Sequence, residues 1–92
     1  MKESKLERQL KREVESLGGK ALKFTSPGLS GVPDRLVLLP GGRAVFVEMK
    51  STGENLRPLQ EKRKRELENL GFKVYKLDSS ETIERFIQEC FS

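Results

Sequence analysis

Apolar residues near the start of the chain recur with a helical period. Leu6, Leu10, Val14 and Leu17 fall at spacings of four, four and three, which predicts one apolar stripe on a helix over Glu3 to Leu17. Gly18-Gly19 ends it, because glycine readily takes the left-handed conformation that closes a helix. The period then changes. Ala21 to Phe24 reads as a short strand, and the segment 26–32 as a loop, since it holds Pro27, Gly28, Ser30 and Gly31. The apolar runs Leu36 to Leu39 and Ala44 to Val47 are too short for helices, so Arg35 to Leu39 and Arg43 to Met49 are predicted strands. Pro40-Gly41-Gly42 joins them. Its glycines supply the positive φ of a tight hairpin, and Pro40 closes the first strand because it cannot donate to a ladder.

The second half repeats the alternation of elements. Ser51 to Asn55 is a polar loop, and Pro58 suits the first turn of a helix running to about Leu70. That helix shows only a narrow stripe, along Leu59, Arg63, Glu66, Leu67 and Leu70. Gly71 stops it, and Phe72 to Leu77 reads as a strand. Asp78-Ser79-Ser80-Glu81 resembles a capping box opening a last helix from Ser80 to Cys90, with Ile83, Phe86, Ile87 and Cys90 inward. The order α-β-β-β-α-β-α predicts an α/β fold, a small mixed sheet flanked by helices. The first three strands form an antiparallel meander. The fourth returns through a helix and lies parallel to its neighbour by a right-handed crossover. With 92 residues and no repeat, linker or low-complexity segment, residues 1–92 are expected to form one domain.

Composition narrows the function. Apolar residues make up 35% of the chain, little for a two-sided core, and a small sheet leaves edges. Both favour pairing with a second copy. Lys and Arg exceed Asp and Glu by 18 to 14, and the calculated pI is 9.4. That balance suits a polyanion such as DNA as well as an ordinary soluble surface. The single cysteine, Cys90, and the absence of histidine exclude an intrachain disulfide, zinc sites built on His and Cys, and Ser-His-Asp or Cys-His catalysis. Acid–base work falls to Asp, Glu, Lys or Tyr. The N-terminus is charged without an apolar segment behind it, and no apolar run approaches spanning length, so a cytoplasmic protein is expected.

One constellation points to chemistry. Pro33-Asp34 is followed, fourteen residues after Asp34, by Glu48-Met49-Lys50. Counting back from the hairpin turn sets Asp34 and Glu48 roughly opposite each other. Alternation along a strand then points Glu48 and Lys50 to one side and Met49 away, leaving the Met49 carbonyl as a further oxygen ligand. Paired carboxylates repel unless a cation offsets them. Two carboxylates and a carbonyl make the partly hydrated oxygen site that Mg²⁺ favours, with Lys50 placed to stabilise charge on phosphorus. Taken singly, an Asp after proline is commonly a turn residue, and Glu-x-Lys on a strand is commonly a solvated face. Their conjunction at the ends of paired strands is what carries the reading. By helical angle Glu7 offers a third carboxylate from the first helix; Glu3 lies nearer the stripe but at the helix terminus, and Glu13 flanks the other side. Gln60 is placed to orient Lys50 or a water. Lys20, Lys23 and Arg35 are candidate phosphate contacts. Lys62, in the run Lys62-Arg63-Lys64-Arg65, is another, although that run also fits a solvated face paired with Glu61, Glu66 and Glu68.

Gly31-Val32-Pro33-Asp34-Arg35, Val45-Phe46-Val47-Glu48-Met49-Lys50 and the later Gln60 together resemble the VRR-NUC domain, a branch of the PD-(D/E)xK nucleases. The resemblance runs from the first helix to about Tyr75. It implies a restriction-endonuclease-like core and a Mg²⁺- or Mn²⁺-dependent DNA endonuclease. Asp34, Glu48 and the Met49 carbonyl would be metal ligands, Lys50 the catalytic lysine, Glu7 the first-helix glutamate and Gln60 the downstream glutamine. Small stand-alone members, often from phage or bacteria, resemble Holliday-junction resolvases and tend to form homodimers. An inactive nucleic-acid-binding module is the alternative on the same fold.

Overall fold

The computed structural model describes residues 2–91. Seven elements follow in the expected order: α1 (Glu3–Ser16), β1 (Lys20–Lys23), β2 (Arg35–Leu39), β3 (Arg43–Met49), α2 (Pro58–Asn69), β4 (Val74–Leu77) and α3 (Ser80–Phe91). The strands form one sheet in the order β1-β2-β3-β4. β1, β2 and β3 are an antiparallel meander, and β4 lies parallel to β3. Gly41 and Gly42 sit at φ +85° and +76°, so the β2–β3 turn has the conformation that glycine alone adopts without strain.

Alternation divides the sheet into two faces. Ala21, Val37, Leu39, Val45, Val47, Met49 and Leu77 point to one, where they meet Leu6, Leu10 and Val14 of α1 and Ile83, Phe86 and Cys90 of α3 in a single core. Burying each aliphatic side chain there contributes roughly 1.5–3 kcal/mol. On the other face Phe46 packs edge-on against Phe24 and Phe72, with centroids 5.5 Å away in both pairs. α2 lies on the β4 side of the sheet and places no residue in the main core. Leu22 and Leu38, on β1 and β2, remain exposed. No helix among the described residues is long and apolar enough to cross a membrane.

Several local expectations shift. β1 ends at Lys23 and β4 begins at Val74, so Phe24 and Phe72 lie just outside the strands, although the Phe24 N–H still donates to the Asp34 carbonyl at 2.8 Å. Leu17 follows α1 as its exposed C-cap. The α2 stripe is not inward: Leu59 and Leu70 are exposed, Leu70 by 74%, and the buried residue of that helix is Gln60. The box at α3 is displaced by one residue. Ser79 Oγ accepts the Thr82 N–H at 3.1 Å, and Thr82 Oγ1 accepts the Ser79 N–H at 3.0 Å. Thr82 thus takes the place expected of an acidic or amide side chain.

Candidate active site

The site begins as an interruption of the ladder. Phe46 and Lys50 donate their N–H groups to Lys73 and Leu77 of the β4 segment, each at 3.0 Å. The backbone groups of Val45, Val47 and Met49 therefore face β2. Arg35 is in register with Val47. Continuing that register sets Glu48 opposite Asp34 and Met49 opposite Pro33. Pro33 has no N–H to give the Met49 carbonyl. The Met49 N–H goes instead to Asp34 Oδ1 at 3.1 Å. The ladder stops at the proline, one carboxylate oxygen is tied to the partner backbone, and a carbonyl is left without its ladder donor. Asp34 and Glu48 form a non-hydrogen-bonded pair, the closer kind, about 4.5 Å between Cα atoms.

Around this pair lies a cleft of about 440 Å³ lined by Glu3, Gly31, Val32, Asp34, Glu48, Lys50, Glu54, Arg57 and Gln60. Glu48 and Lys50 are each 6% exposed and Gln60 8%. The Lys50 ammonium has no hydrogen bond or ion pair among the described residues, yet no buried side-chain polar atom among them lacks a partner. Its ammonium therefore reaches the solvent of the cleft. Gln60 Oε1 accepts the Arg57 N–H at 2.9 Å, so its amide NH₂ is the group it has left to offer. Gly31, at φ +85°, lets the loop lie against α2: a Cβ there would stand 2.7 Å from Leu59 Cγ and 3.1 Å from its carbonyl oxygen.

Burial strains the carboxylates electrostatically. Desolvation pushes Asp34 up to about 6, with Glu7 and Glu3 adding repulsion, against the opposing Met49 hydrogen bond and Arg35. Desolvation and the Asp34 charge push Glu48 up to about 7, against Lys50 and Arg57. Carboxylates held this way near neutrality, with a carbonyl beside them, form a hard oxygen donor set short of positive charge. That set fits a divalent cation of the Mg²⁺ or Mn²⁺ type.

The remaining predicted residues fall in different places. Glu3, Glu7 and Asp34 offer carboxylate oxygens within 4.8 Å of one another. Glu3 lines the cleft, whereas Glu7 pairs with Arg35 at 3.5 Å. Arg35 points to the α1 face and also donates to the Ala21 carbonyl at 3.4 Å, so its guanidinium is engaged within the fold. Lys23 sits at the site end of β1. Lys20 does not flank the site: its register partner is Leu38, four residues from Asp34 along β2, roughly 13 Å away at strand spacing. Lys62 is exposed and two residues from Gln60, about 200° around α2 and hence away from the cleft. Glu54 and Arg57 line the cleft although the sequence pattern does not single them out. Arg57 stands in a readable position, immediately before the helix-opening Pro58 and three residues before Gln60.

Comparison with known proteins agrees with this architecture. The family model of the VRR-NUC domain matches residues 1–81. A protein of Acyrthosiphon pisum secondary endosymbiont phage 1, named "Putative nuclease p44", is 47% identical over 81 residues, which are 88% of this chain and 87% of that protein. A solved structure described as a VRR_NUC domain is 31% identical and superposes with a TM-score of 0.88 over 94% of both chains. With a family match across most of its length and a solved VRR_NUC structure that superposes on 94% of it, the chain belongs to the VRR-NUC domain family and is a nuclease domain.

Proposed function

We propose that the chain is a Mg²⁺- or Mn²⁺-dependent DNA endonuclease, acting in the cytoplasm as a homodimer on branched or structured DNA such as four-way junctions. The observation that carries this is the opposition of Asp34 and Glu48 across β2 and β3, with Lys50 and Gln60 in the same cleft. Asp34, Glu48 and the Met49 carbonyl would hold the metal, and the α1 carboxylates Glu7 and Glu3 would support it from beside Asp34. Bound there, a divalent ion supplies Lewis-acid activation of the phosphodiester and of the attacking water. The protein's own groups do the rest. Asp34 is held in place by the Met49 N–H. Lys50, its side chain mostly buried and its ammonium open to the cleft, brings a positive charge to the phosphate oxygens. Gln60 keeps its oxygen on the α2 backbone and directs its NH₂ donors into the cleft, where they can orient water or phosphate. The open edges of β1 and β4 favour pairing with a second copy, and two sites held apart in a dimer suit paired cuts in a junction.

The test is cleavage of labelled single strand, duplex, flap and four-way junction with Mg²⁺ or Mn²⁺ against EDTA, alongside Glu48→Ala and light scattering of the native protein. Paired junction cuts that vanish with EDTA and in the variant are expected. Cutting confined to another substrate, or a monomer in solution, would remove the junction assignment; binding without cutting of any substrate would remove the catalytic one.

A further inference from the structure

We propose that Arg57 is a substrate-positioning residue that grips a non-bridging oxygen of the DNA phosphodiester in the cleft. This rests on the nuclease reading above and names a residue that neither the motif nor the family likeness assigns.

The cleft brings together two kinds of group. Glu3, Asp34, Glu48 and Glu54 contribute carboxylates. Lys50, Gln60 and Arg57 contribute hydrogen-bond donors. Of those three, Arg57 alone carries a planar, permanently charged fork that matches two phosphate oxygens at once. Its guanidinium has no hydrogen bond or ion pair among the described residues. Arg57 itself is exposed, whereas three other arginines are engaged with the fold. Arg35 is held by Glu7 and the Ala21 carbonyl, Arg43 by the Cys90 carbonyl at 2.7 Å, and Arg63 by the Ser30 carbonyl and Glu66. Arg57 is the arginine of the described residues that lines the cleft.

Its base, by contrast, is fixed. The Arg57 N–H is bonded to Gln60 Oε1, and Pro58 follows at the first turn of α2. The preceding loop is strapped to β4 and to the turn before α3. Thr52 Oγ1 donates to the Asp78 carbonyl at 2.8 Å, the Gly53 N–H to Asp78 Oδ2 at 3.1 Å, and Lys76 Nζ to the Glu54 carbonyl at 3.0 Å. A rigid root with an unclaimed charged end is what positions an anion brought from outside, and it is a poor design for holding the protein together. The Lys50 ammonium, without a hydrogen bond or ion pair among the described residues, lines the same cleft and offers a second positive charge to that anion.

Position also sets opposite signs for two ligands. Arg57 lines the same cleft as Asp34 and Glu48, and its charge opposes a cation there while attracting a phosphate. Removing it therefore weakens DNA binding but does not weaken metal binding.

The experiment uses the full chain with Arg57→Ala, Arg57→Gln and Arg57→Lys. Binding of fluorescein-labelled DNA is followed by anisotropy in EDTA over a series of salt concentrations, and Mn²⁺-induced thermal stabilisation is measured separately. Arg57→Ala and Arg57→Gln should weaken binding about ten-fold or more and flatten the log–log salt dependence by about 0.9 for duplex. Arg57→Lys should keep the slope. Stabilisation by Mn²⁺ should be unchanged or larger in all three, and the cleavage defect should appear in KM before kcat. Native affinity and slope in both neutral variants would overturn the proposal, as would parallel loss of melting temperature and Mn²⁺ response in Arg57→Gln, which would make the residue structural. Native protein that neither binds nor cuts DNA would instead overturn the nuclease reading itself.

Discussion

Asp34 accepts the Met49 backbone N–H at 3.1 Å, in the place where an uninterrupted ladder would offer the Pro33 carbonyl. One side chain thus both closes the hairpin and begins the site. This double duty separates two substitutions that remove the same charge. Asp34→Asn keeps the acceptor oxygen and relieves repulsion with Glu48, Glu7 and Glu3. The metal-free protein should melt higher, by ~4–8 °C if the relief is near 1 kcal/mol. Asp34→Ala leaves the Met49 N–H without its acceptor and should cost about 1–3 kcal/mol. Both should lose Mn²⁺-induced stabilisation and about 10²-fold or more in cleavage. Thermal melts with and without Mn²⁺, set beside single-turnover rates, check all of this.

Stability of the metal-free protein should fall as pH rises. Asp34 and Glu48 titrate near 6 and 7 in the fold, against ordinary values of 3.8 and 4.5. Between about pH 4 and 7 the folded state binds more protons than the unfolded one, so the slope of unfolding free energy with pH is negative. A tenfold gain in proton affinity is worth about 1.4 kcal/mol, so the rise from 4.5 to about 7 makes Glu48 alone responsible for at most about 3.5 kcal/mol of this loss. Urea titrations in EDTA at pH 5 and pH 7.5 should show the loss, and Glu48→Gln should reduce it. Saturating Mn²⁺ should raise stability most at the higher pH, where both ligands are ionised. A flat or rising profile in EDTA would contradict the burial of these carboxylates.

Gln60 should divide into a structural half and a catalytic half. Gln60→Ala removes the acceptor of the Arg57 N–H and should destabilise by about 1 kcal/mol. Gln60→Glu keeps that acceptor but adds a negative charge to the cleft, so it should lower cleavage with a smaller change in stability. Equal chemical-denaturation midpoints for Gln60→Ala and the native chain would dismiss the cap.

The two α1 glutamates should differ. Glu3 lines the cleft, while Arg35 holds Glu7 at 3.5 Å. Glu3→Gln should therefore weaken Mn²⁺ binding more than Glu7→Gln does, and Glu7→Gln should cost roughly 0.5–1 kcal/mol of stability by releasing Arg35. Calorimetric titration of Mn²⁺ into both variants distinguishes them; a larger loss in Glu7→Gln would assign it the closer place.

The sequence by itself determined the order of elements, both hairpin strands to the residue, and the opposition of Asp34 and Glu48. It could do so because these rest on local rules. A period of two or of 3.6 declares the element, Pro40-Gly41-Gly42 fixes the turn, and the turn fixes the register. What it left open depends on distances that no local rule carries. Helical angle orders Glu3, Glu7 and Glu13 around α1 but says nothing of how far that helix slides along the sheet, and the slide decides which carboxylate meets Asp34. Residue type marks Lys20, Arg35 and Lys62 as cations, but antiparallel register carries Lys20 to the far end of β1, Arg35 turns to Glu7, and Lys62 turns outward. Arg57 and Glu54 lie in a segment without periodicity, so only the packing of α2 and the strap to Asp78 bring them to the cleft. Backbone chemistry is written locally and can be read locally. A site is made of side chains meeting across elements, and that meeting is decided by how the elements pack.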